Sequence, residues 1–352
     1  MGFSRKGHLV GLDIGSSTIK AAEIQISKKK KTLKKFGMIS VKPGAIVDGR
    51  IKDMPEVADT IQTLFKSLKI REKKVAISTG GQSVVIKTIN TARVPEKDLQ
   101  QTIVVEAEQY IPYDIEDANI DYQVMGESEF SSDQINVLLV AVKKDLVAEY
   151  MALTAMAGLD ASIIDVDTFA LQNIYETLPY LDRKDLTLLL DVGASKTSLN
   201  ILKNNISMMM QDNGSGTFQI IEEICARFDM DFVSAEEILQ APVSAAPDPE
   251  IMTAIFQEAA EVWCAEISDV VHAFLNNAPD ARITNIVISG GGSYIQPFLD
   301  RLETQLDARV SIIEPFAGLE LNENRFPPAF ISQAGPRAPI ALGLALRRVD
   351  DK

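Results

Sequence analysis

The stretch GLDIGSSTIKAAEI, residues 11–24, decides how the rest of the chain is read. An apolar lead-in ends on Asp13 and Gly15. Ser16, Ser17, Thr18 and Lys20 follow, and then apolar and polar residues alternate. Small residues at this density mark a tight turn between strands. They also suit a phosphate cradle: Gly15 lets backbone N–H groups approach, Lys20 brings charge, and Asp13 at a strand end can hold a divalent cation through waters. A single such turn reads equally well as an ordinary hairpin capped by its Asp. The chain, however, carries a second. In LTLLLDVGASKTSLNIL (186–202), LDVGAS at 190–195 repeats LDIGSS at 12–17, again between a buried strand and an alternating one. This internal duplication of strand, turn and strand puts Asp191 and Gly193 beside Asp13 and Gly15 as a pair of loops able to clasp one phosphate tail. A third glycine cluster, ISGGGS (288–293), follows a buried strand and precedes a helix. It has no Gly-Lys-Ser/Thr and no Gly-x-Gly-x-x-Gly, and it fits a surface against which a flat base can lie.

The chain has 352 residues, 46% hydrophobic and 24% charged, with a net charge of −14. The length suggests two or more lobes. The acidity speaks against nucleic acid and for a basic partner. The basic run Lys28 to Lys31 reads as a solvated hairpin tip rather than a lipid-contacting patch. Two distant cysteines, Cys225 and Cys264, predict no disulfide framework and a reducing compartment. Two histidines, His8 and His272, leave no material for a Ser-His-Asp triad or a His-rich metal site. MGFSRKGHLV runs directly into the first strand, so no signal peptide is expected. No apolar run approaches the ~20 residues that span a bilayer.

Along the chain, 8–15, 17–27, 30–41 and 74–80 read as strands, with a helix from Pro55 through Leu68. From 82 to 158 the pattern is strand, helix, strand, strand, helix, an α/β unit inserted into the first lobe. Its first helix shows Leu99, Ile103, Ala107 and Ile111 on one face and is stopped by Pro112. SIIDVD (162–167) is a strand followed by a helix to about Thr177. The region 217–240 is helical, APVSAAPDP (241–249) is a surface linker, and a long helix covers 251–277. A helix spans 295–306, residues 314–336 form a loop, and PIALGLALRR closes the chain as an apolar helix.

Three loops in this order, 12–20, 190–198 and 288–293, resemble the signatures of the actin/Hsp70/sugar-kinase ATPases, with connecting segments around 164–173 and 339–346. The resemblance implies two lobes around a cleft with Mg-ATP at its base, an α/β actin-like ATPase fold. It implies nucleotide contacts from Gly15, Ser16, Ser17, Thr18 and Lys20, from Gly193, Ala194, Ser195 and Lys196, and from Gly290, Gly291, Gly292 and Ser293. Asp13 and Asp191 would hold Mg²⁺. Gly343 matches the small residue that lets the last helix pass close to the first loop. Asp165 and Asp167, at a strand end in the first connector, are candidates for a base that activates water, or simply a capped strand end.

A narrower resemblance covers essentially the whole chain. VPEKDLQQTIVVEAEQYIPYDIEDANIDYQV (94–124) looks like the signature of the PilM family, cytoplasmic actin-like proteins of type IV pilus assembly and twitching motility. It implies a first lobe of 1–81 with 159–185 and 337–352, an inserted subdomain at 82–158, and a second lobe at 186–336. It implies a partner, the cytoplasmic N-terminal tail of the inner-membrane protein PilN, docked between the inserted subdomain and the first lobe. It implies a cytoplasmic protein held at the inner membrane through the pilus assembly platform, and it leaves a ring or other homo-oligomer open. Glu106, Gln109, Tyr110, Ile111, Pro112 and Tyr113 are the candidate docking edge, though Tyr110 and Ile111 equally suit core packing. Two departures stand out. DNGSGTFQ replaces the usual Gly-Gly-Asn, and AEEIL keeps Glu236 but has Leu239 where a Lys often contacts adenosine, so Gly214, Gly216 and Glu236 remain the nucleotide contacts the resemblance implies here. An FtsA-like division protein would need a C-terminal amphipathic membrane helix, and a small-molecule kinase a substrate pocket with its own base.

Overall fold

A computed structural model describes residues 8–27, 30–81, 83–128, 131, 133–179, 186–278 and 280–349. Lys28 and Lys29 of the basic run lie outside the described residues. The first elements are β1 (Val10–Ile14), β2 (Thr18–Ser27), β3 (Lys30–Ser40), a short hairpin β4 (Ile46–Val47) and β5 (Arg50–Ile51), α1 (Met54–Leu68) and β6 (Lys74–Thr79). Asp53 caps α1 by accepting the Glu56 N–H, with Pro55 in the first turn. Next come β7 (Val84–Ala92), α2 (Glu96–Ala107), β8 (Ala118–Glu127) and β9 (Gln134–Lys143), the inserted unit, and α3 (Lys144–Met156), whose buried face packs into the core of the first sheet. Then come β10 (Asp160–Val166) and α4 (Asp167–Tyr175). The second half holds β11 (Leu186–Val192), β12 (Thr197–Lys203), β13 (Ile206–Asn213), α5 (Thr217–Phe228), α6 (Phe232–Gln240), α7 (Pro249–Asn276), β14 (Ile283–Ser289), α8 (Gln296–Leu306), β15 (Arg309–Ile312), α9 (Pro328–Ala334) and α10 (Pro339–Ala345).

The duplicated turn belongs to a duplicated sheet. One sheet runs β10-β6-β1-β2-β3 and the other β15-β14-β11-β12-β13. In each, the strand before the turn pairs antiparallel with the one after it and parallel with the strand on its other side. The inserted unit is a separate sheet, β7-β9-β8, with α2 on it. Its own core joins Ile89, Leu99, Ile103, Ala107, Ile111, Val137 and Leu139.

Several elements depart from the sequence pattern. Helix α2 ends at Ala107, because both the Tyr110 and Ile111 N–H groups turn onto the Ala107 carbonyl ahead of Pro112, and a residue before proline avoids helical backbone. Ile111 nonetheless stays on the buried face. The helical region 217–240 is two helices: Asp229 takes a left-handed φ of 50° and Asp231 caps α6. Strands β13 and β15 and the β4–β5 hairpin carry too little alternation to be read. The loop 314–336 contains α9 and packs on the first sheet: Phe36 of β3 meets Phe316 and Phe330 edge-on, and Leu33 N–H bonds the Glu320 carbonyl. A boundary at 336 therefore separates this segment from the sheet it covers. The close crossing of α10 over β1 occurs at Gly11, where a Cβ would overlap the Ala341 carbonyl. Gly343 instead faces the Ala170 carbonyl of α4.

Candidate functional site

A cavity of about 750 Å³ opens between the two sheets, and both duplicated turns line it. The turns are built alike. Gly15 N–H donates to the Thr18 carbonyl at 3.2 Å, and Gly193 N–H to the Lys196 carbonyl at 2.9 Å. A Cβ would lie 2.9 Å from the first carbonyl and 3.1 Å from the second, so space demands glycine at Gly15 and leaves a larger residue at Gly193 crowded. The turns meet across the cavity, with the Ser16 and Ser195 hydroxyls 3.1 Å apart. Ser17 donates to Glu236 of α6 at 2.7 Å. Thus Gly15, Ser16, Ser17, Thr18, Lys20, Gly193, Ala194, Ser195, Lys196, Gly214 and Glu236 share one cavity wall-to-wall, with Leu239 close by.

The remaining glycines divide by role. Gly290 and Gly291 face the cavity. Gly290 has φ +85°, and a Cβ there would overlap the Val192 carbonyl. Gly292 and Ser293 lie beneath: Gly292 is pressed against the Val192 side chain, and the fully buried Ser293 hydroxyl donates to the Gly290 carbonyl at 2.7 Å. Gly216 supports the second turn from behind. A Cβ would run into the Ala194 carbonyl, and the first N–H groups of α5, from Thr217 and Phe218, bond the Gly193 and Ala194 carbonyls.

Two aspartates define the electrostatics. Asp13 pairs with Lys20 at 2.8 Å. Burial raises its pKa, and Lys20 offsets that only in part. Asp191 accepts the Ser289 hydroxyl at 2.7 Å. Burial pushes its carboxyl up to about 6, with Ser289 and Lys20 opposing, and the Asp13 charge adds to the rise. Among the described residues no group of three His, Cys, Asp or Glu can hold a metal alone. Asp13 and Asp191 are nevertheless the donor set Mg²⁺ would need, since it keeps waters and takes one or two carboxylates plus phosphate oxygens.

The connector residues separate. Asp167 lines the cavity, accepting the Ser78 hydroxyl at 2.6 Å and Lys196 at 2.8 Å. Asp165 does not line it. Its carboxylate accepts the Val166 N–H at 2.8 Å and faces Arg347 at 3.4 Å. Lys196 also reaches Asp212 of β13 at 2.9 Å. Burial works to lower the Lys196 pKa, and the two carboxylates outweigh it and raise it well above the usual lysine value. Desolvation works to raise that of Asp212, and Lys196 brings it below the usual range.

The six residues of the proposed docking edge do not line the cavity. Ile111 is buried in the inserted unit's core. Tyr113 is half-buried, its hydroxyl on the Ser83 carbonyl at 3.3 Å and Lys143 over its ring. Tyr110 is 38% exposed with Lys87 above its ring. Gln109 donates to Glu106 at 3.1 Å, and Pro112 is exposed. Of residues 82–158, Ser83, Leu146 and Tyr150 line the cavity; Leu146 and Tyr150 belong to α3, which packs into the core of the first sheet with Val57, Ile61 and Leu64, and the Tyr150 hydroxyl donates to the Gly49 carbonyl at 3.0 Å. Ser78, Asp212 and Tyr150 escape the sequence reading because none sits in a motif, and Ser289, although inside ISGGGS, because the glycines beside it carry that motif's reading. The linker does too: Ala241, Pro242 and Val243 line the cavity rather than only the surface.

The family model for the type IV pilus assembly protein PilM matches residues 11–349. A chain of a PilM-PilN type IV pilus biogenesis complex is similar at 23% identity and a TM-score of 0.86, over 98% of this chain and 99% of that one. Ethanolamine utilization protein EutJ from Carboxydothermus hydrogenoformans is similar at 12% identity and a TM-score of 0.57, over 98% and 91%. The fold is that of the actin-like ATPases. With a match across almost its whole length, the chain belongs to the PilM family of type IV pilus assembly proteins.

Proposed function

We propose that the cavity binds Mg-ATP, and that the chain serves in the type IV pilus inner-membrane platform as a nucleotide-bound adaptor for the cytoplasmic N-terminal tail of PilN. The observation that carries this reading is the pair of similarly built glycine turns meeting at Ser16 and Ser195. Their backbones, Lys20 and Lys196 supply the donors and charge a polyphosphate needs. Magnesium, when bound near Asp13 and Asp191, would neutralise phosphate charge. Glu236 stands where a ribose hydroxyl can be met, and the apolar wall of Leu239, Val243 and Phe256 suits a base. The direct test is nucleotide extraction from the purified protein followed by titration calorimetry with ATP, with and without Mg²⁺. Absence of binding in both overturns the reading.

Hydrolysis is expected to be slow, because both oxygens of Asp167 already accept hydrogen bonds, from Ser78 and Lys196, and Asp165 faces Arg347 away from the cavity. Steady-state turnover above about 1 s⁻¹, an ordinary enzyme rate, would contradict this.

The tail is assigned to the inserted unit, residues 82–158, where it adjoins the first lobe. No helix among the described residues is long and apolar enough to cross a membrane, so the inner-membrane position proposed here comes through the partner. A juxtamembrane cytoplasmic tail tends to carry Lys and Arg, which complements a chain at −14. Tyr110→Ala is expected to weaken a PilN tail peptide while leaving the melting temperature nearly unchanged. Tyr113→Ala is expected to lower stability by about 1–2 kcal/mol through lost packing and a lost hydrogen bond. Peptide affinity by fluorescence anisotropy, set beside thermal melts, separates the two. Unchanged affinity in Tyr110→Ala removes it from the docking edge.

A further inference from the structure

Gly80 and Gly81 lead from β6 toward β7, the point where the chain leaves the first sheet for the inserted unit. They lie on the charged cluster of the cavity floor. A Cβ on Gly80 would overlap the Lys196 ammonium and crowd the Asp167 and Asp212 carboxylates, so only glycine admits the cluster there. Gly81 has φ +82°, and its N–H donates to the same Asp212 oxygen that accepts Lys196. Asp212 belongs to β13, which also lies against β7. One carboxylate thus joins a lysine in the second duplicated turn to the backbone junction of the inserted unit.

The cluster holds two carboxylates and one ammonium. An ammonium has three donors, and two of these are directed at Asp167 and Asp212. Lys196, Asp167, Asp212, Gly80 and Gly81 all line the cavity. A phosphate entering this end therefore competes with Asp212 for Lys196 and repels the carboxylate that grips Gly81. The contacts between the turns, Ser16 to Ser195, and between the first turn and α6, Ser17 to Glu236, involve no residue of the inserted unit.

We infer that Lys196 and Asp212 form a link that makes the Gly80–Gly81 junction, and with it the posture of the inserted unit, respond to phosphate in the cavity. This rests on the nucleotide reading above and adds a regulatory route to it. A ligand shifts the junction only by its differential affinity for the two arrangements, and the effect is reciprocal: whatever the inserted unit binds feeds back on nucleotide affinity by the same factor.

The test is amide hydrogen exchange on the full chain at Gly81 and along Val84–Ala92, with and without the hydrolysis-resistant analogue Mg-AMPPNP, with calorimetry of the same samples. Wild type is expected to change exchange at these amides at least about fivefold on binding, the low end of ordinary allosteric coupling. Lys196→Met in the ligand-free protein should move the same amides in the same direction, and Lys196→Arg, which keeps the charge, should not. Asp212→Asn should bind the analogue while its exchange response falls below about twofold. A wild-type-sized response in Asp212→Asn, or wild type binding the analogue with no change at these amides, overturns the link. Failure of wild type to bind the analogue at all overturns the nucleotide reading and the link with it, and calorimetry tells that outcome from the others.

Discussion

The two hairpins that meet in the cavity share a turn and differ in what stands beside the aspartate. The β1–β2 register puts Asp13 opposite Lys20, and the β11–β12 register puts Asp191 opposite Ser198. The first aspartate therefore carries its own cation at 2.8 Å. The second leans on the Ser289 hydroxyl, borrowed from β14. Backbone geometry was duplicated and charge was not. A self-contained ion pair on one side and a nearly bare carboxylate on the other leave a local shortage of positive charge, which a cation with its phosphate ligand would fill.

The widest gap between the hairpins is expected in stability. Asp13→Asn exchanges the Lys20 ion pair for a neutral hydrogen bond, since the amide oxygen still accepts from the ammonium beside the Thr18 carbonyl at 3.5 Å. Burial raises the Asp13 pKa even with Lys20 present, so losing its charge should change denaturant unfolding by only about 1 kcal/mol or less. Asp191→Asn, with no cation of its own to lose, should raise stability by more. A carboxyl whose pKa is raised by the fold contributes its stability below the unfolded value of 3.8 and loses it as the pH rises through about 6. At pH 7.5 the ionised Asp191 opposes folding by about 3 kcal/mol at most, because each pH unit separating the folded and unfolded pKa values is worth about 1.36 kcal/mol. The amide should recover part of that at pH 7.5 and almost none near pH 4, while both variants lose magnesium-dependent ATP affinity. Equal stability changes in the two variants at pH 7.5 would erase the asymmetry.

Ligand affinity gives a smaller contrast, between the lysines. Lys20 serves one carboxylate and Lys196 two, so Lys20 leaves more positive potential for a phosphate. Lys20→Ala is expected to weaken Mg-ATP by about 1.5–3 kcal/mol, the scale of a charge-assisted hydrogen bond, and Lys196→Ala by less than half as much. Titration calorimetry that reverses this order would make the second hairpin the principal phosphate holder.

The fold is legible in the sequence because Asp-x-Gly turns between buried and alternating strands are a strong local signal, and two of them at matching places imply two similar sheets. The inner wall of the site is legible for the same reason. The cluster of Lys196, Asp167 and Asp212 is different. Lys196 and Asp167 are legible as members of the second loop and the first connector, but Asp212 is an unremarkable charged residue of β13, and only the approach of β13 to the β6 end brings the three together. Asp165 and Asp167, two residues apart on a strand end, are indistinguishable by pattern. Residues two apart on a strand share a face, so their separation into a residue facing Arg347 and a cavity residue follows from the end of β10 at Val166 and the start of α4 at Asp167. Adjacency groups Gly292 with Gly290 and Gly291, although its job is to let Val192 pack. The sheet partner of residues 316–334 is unreadable, since aromatic contacts to Phe36 leave no periodic trace.

The finest test addresses the contact that makes the hairpins one site. Ser16 and Ser195 lie 3.1 Å apart, and either hydroxyl can donate. If this bond holds the turns together before any ligand arrives, each single alanine variant removes the same interaction, and the double variant has nothing further to lose from it. The four proteins of the cycle should then show a coupling of about 0.5–1.5 kcal/mol in ligand-free unfolding, the net worth of one intramolecular hydrogen bond. Coupling should shrink in the presence of Mg-ATP if phosphate oxygens replace each hydroxyl's partner with their own. Additive single-mutant effects in the free protein would mean that the turns are held apart by the rest of the fold, and that the serines merely happen to face each other. A coupling that survives ligand unchanged would mean that the phosphate sits elsewhere in the cavity, away from the point where the two turns touch.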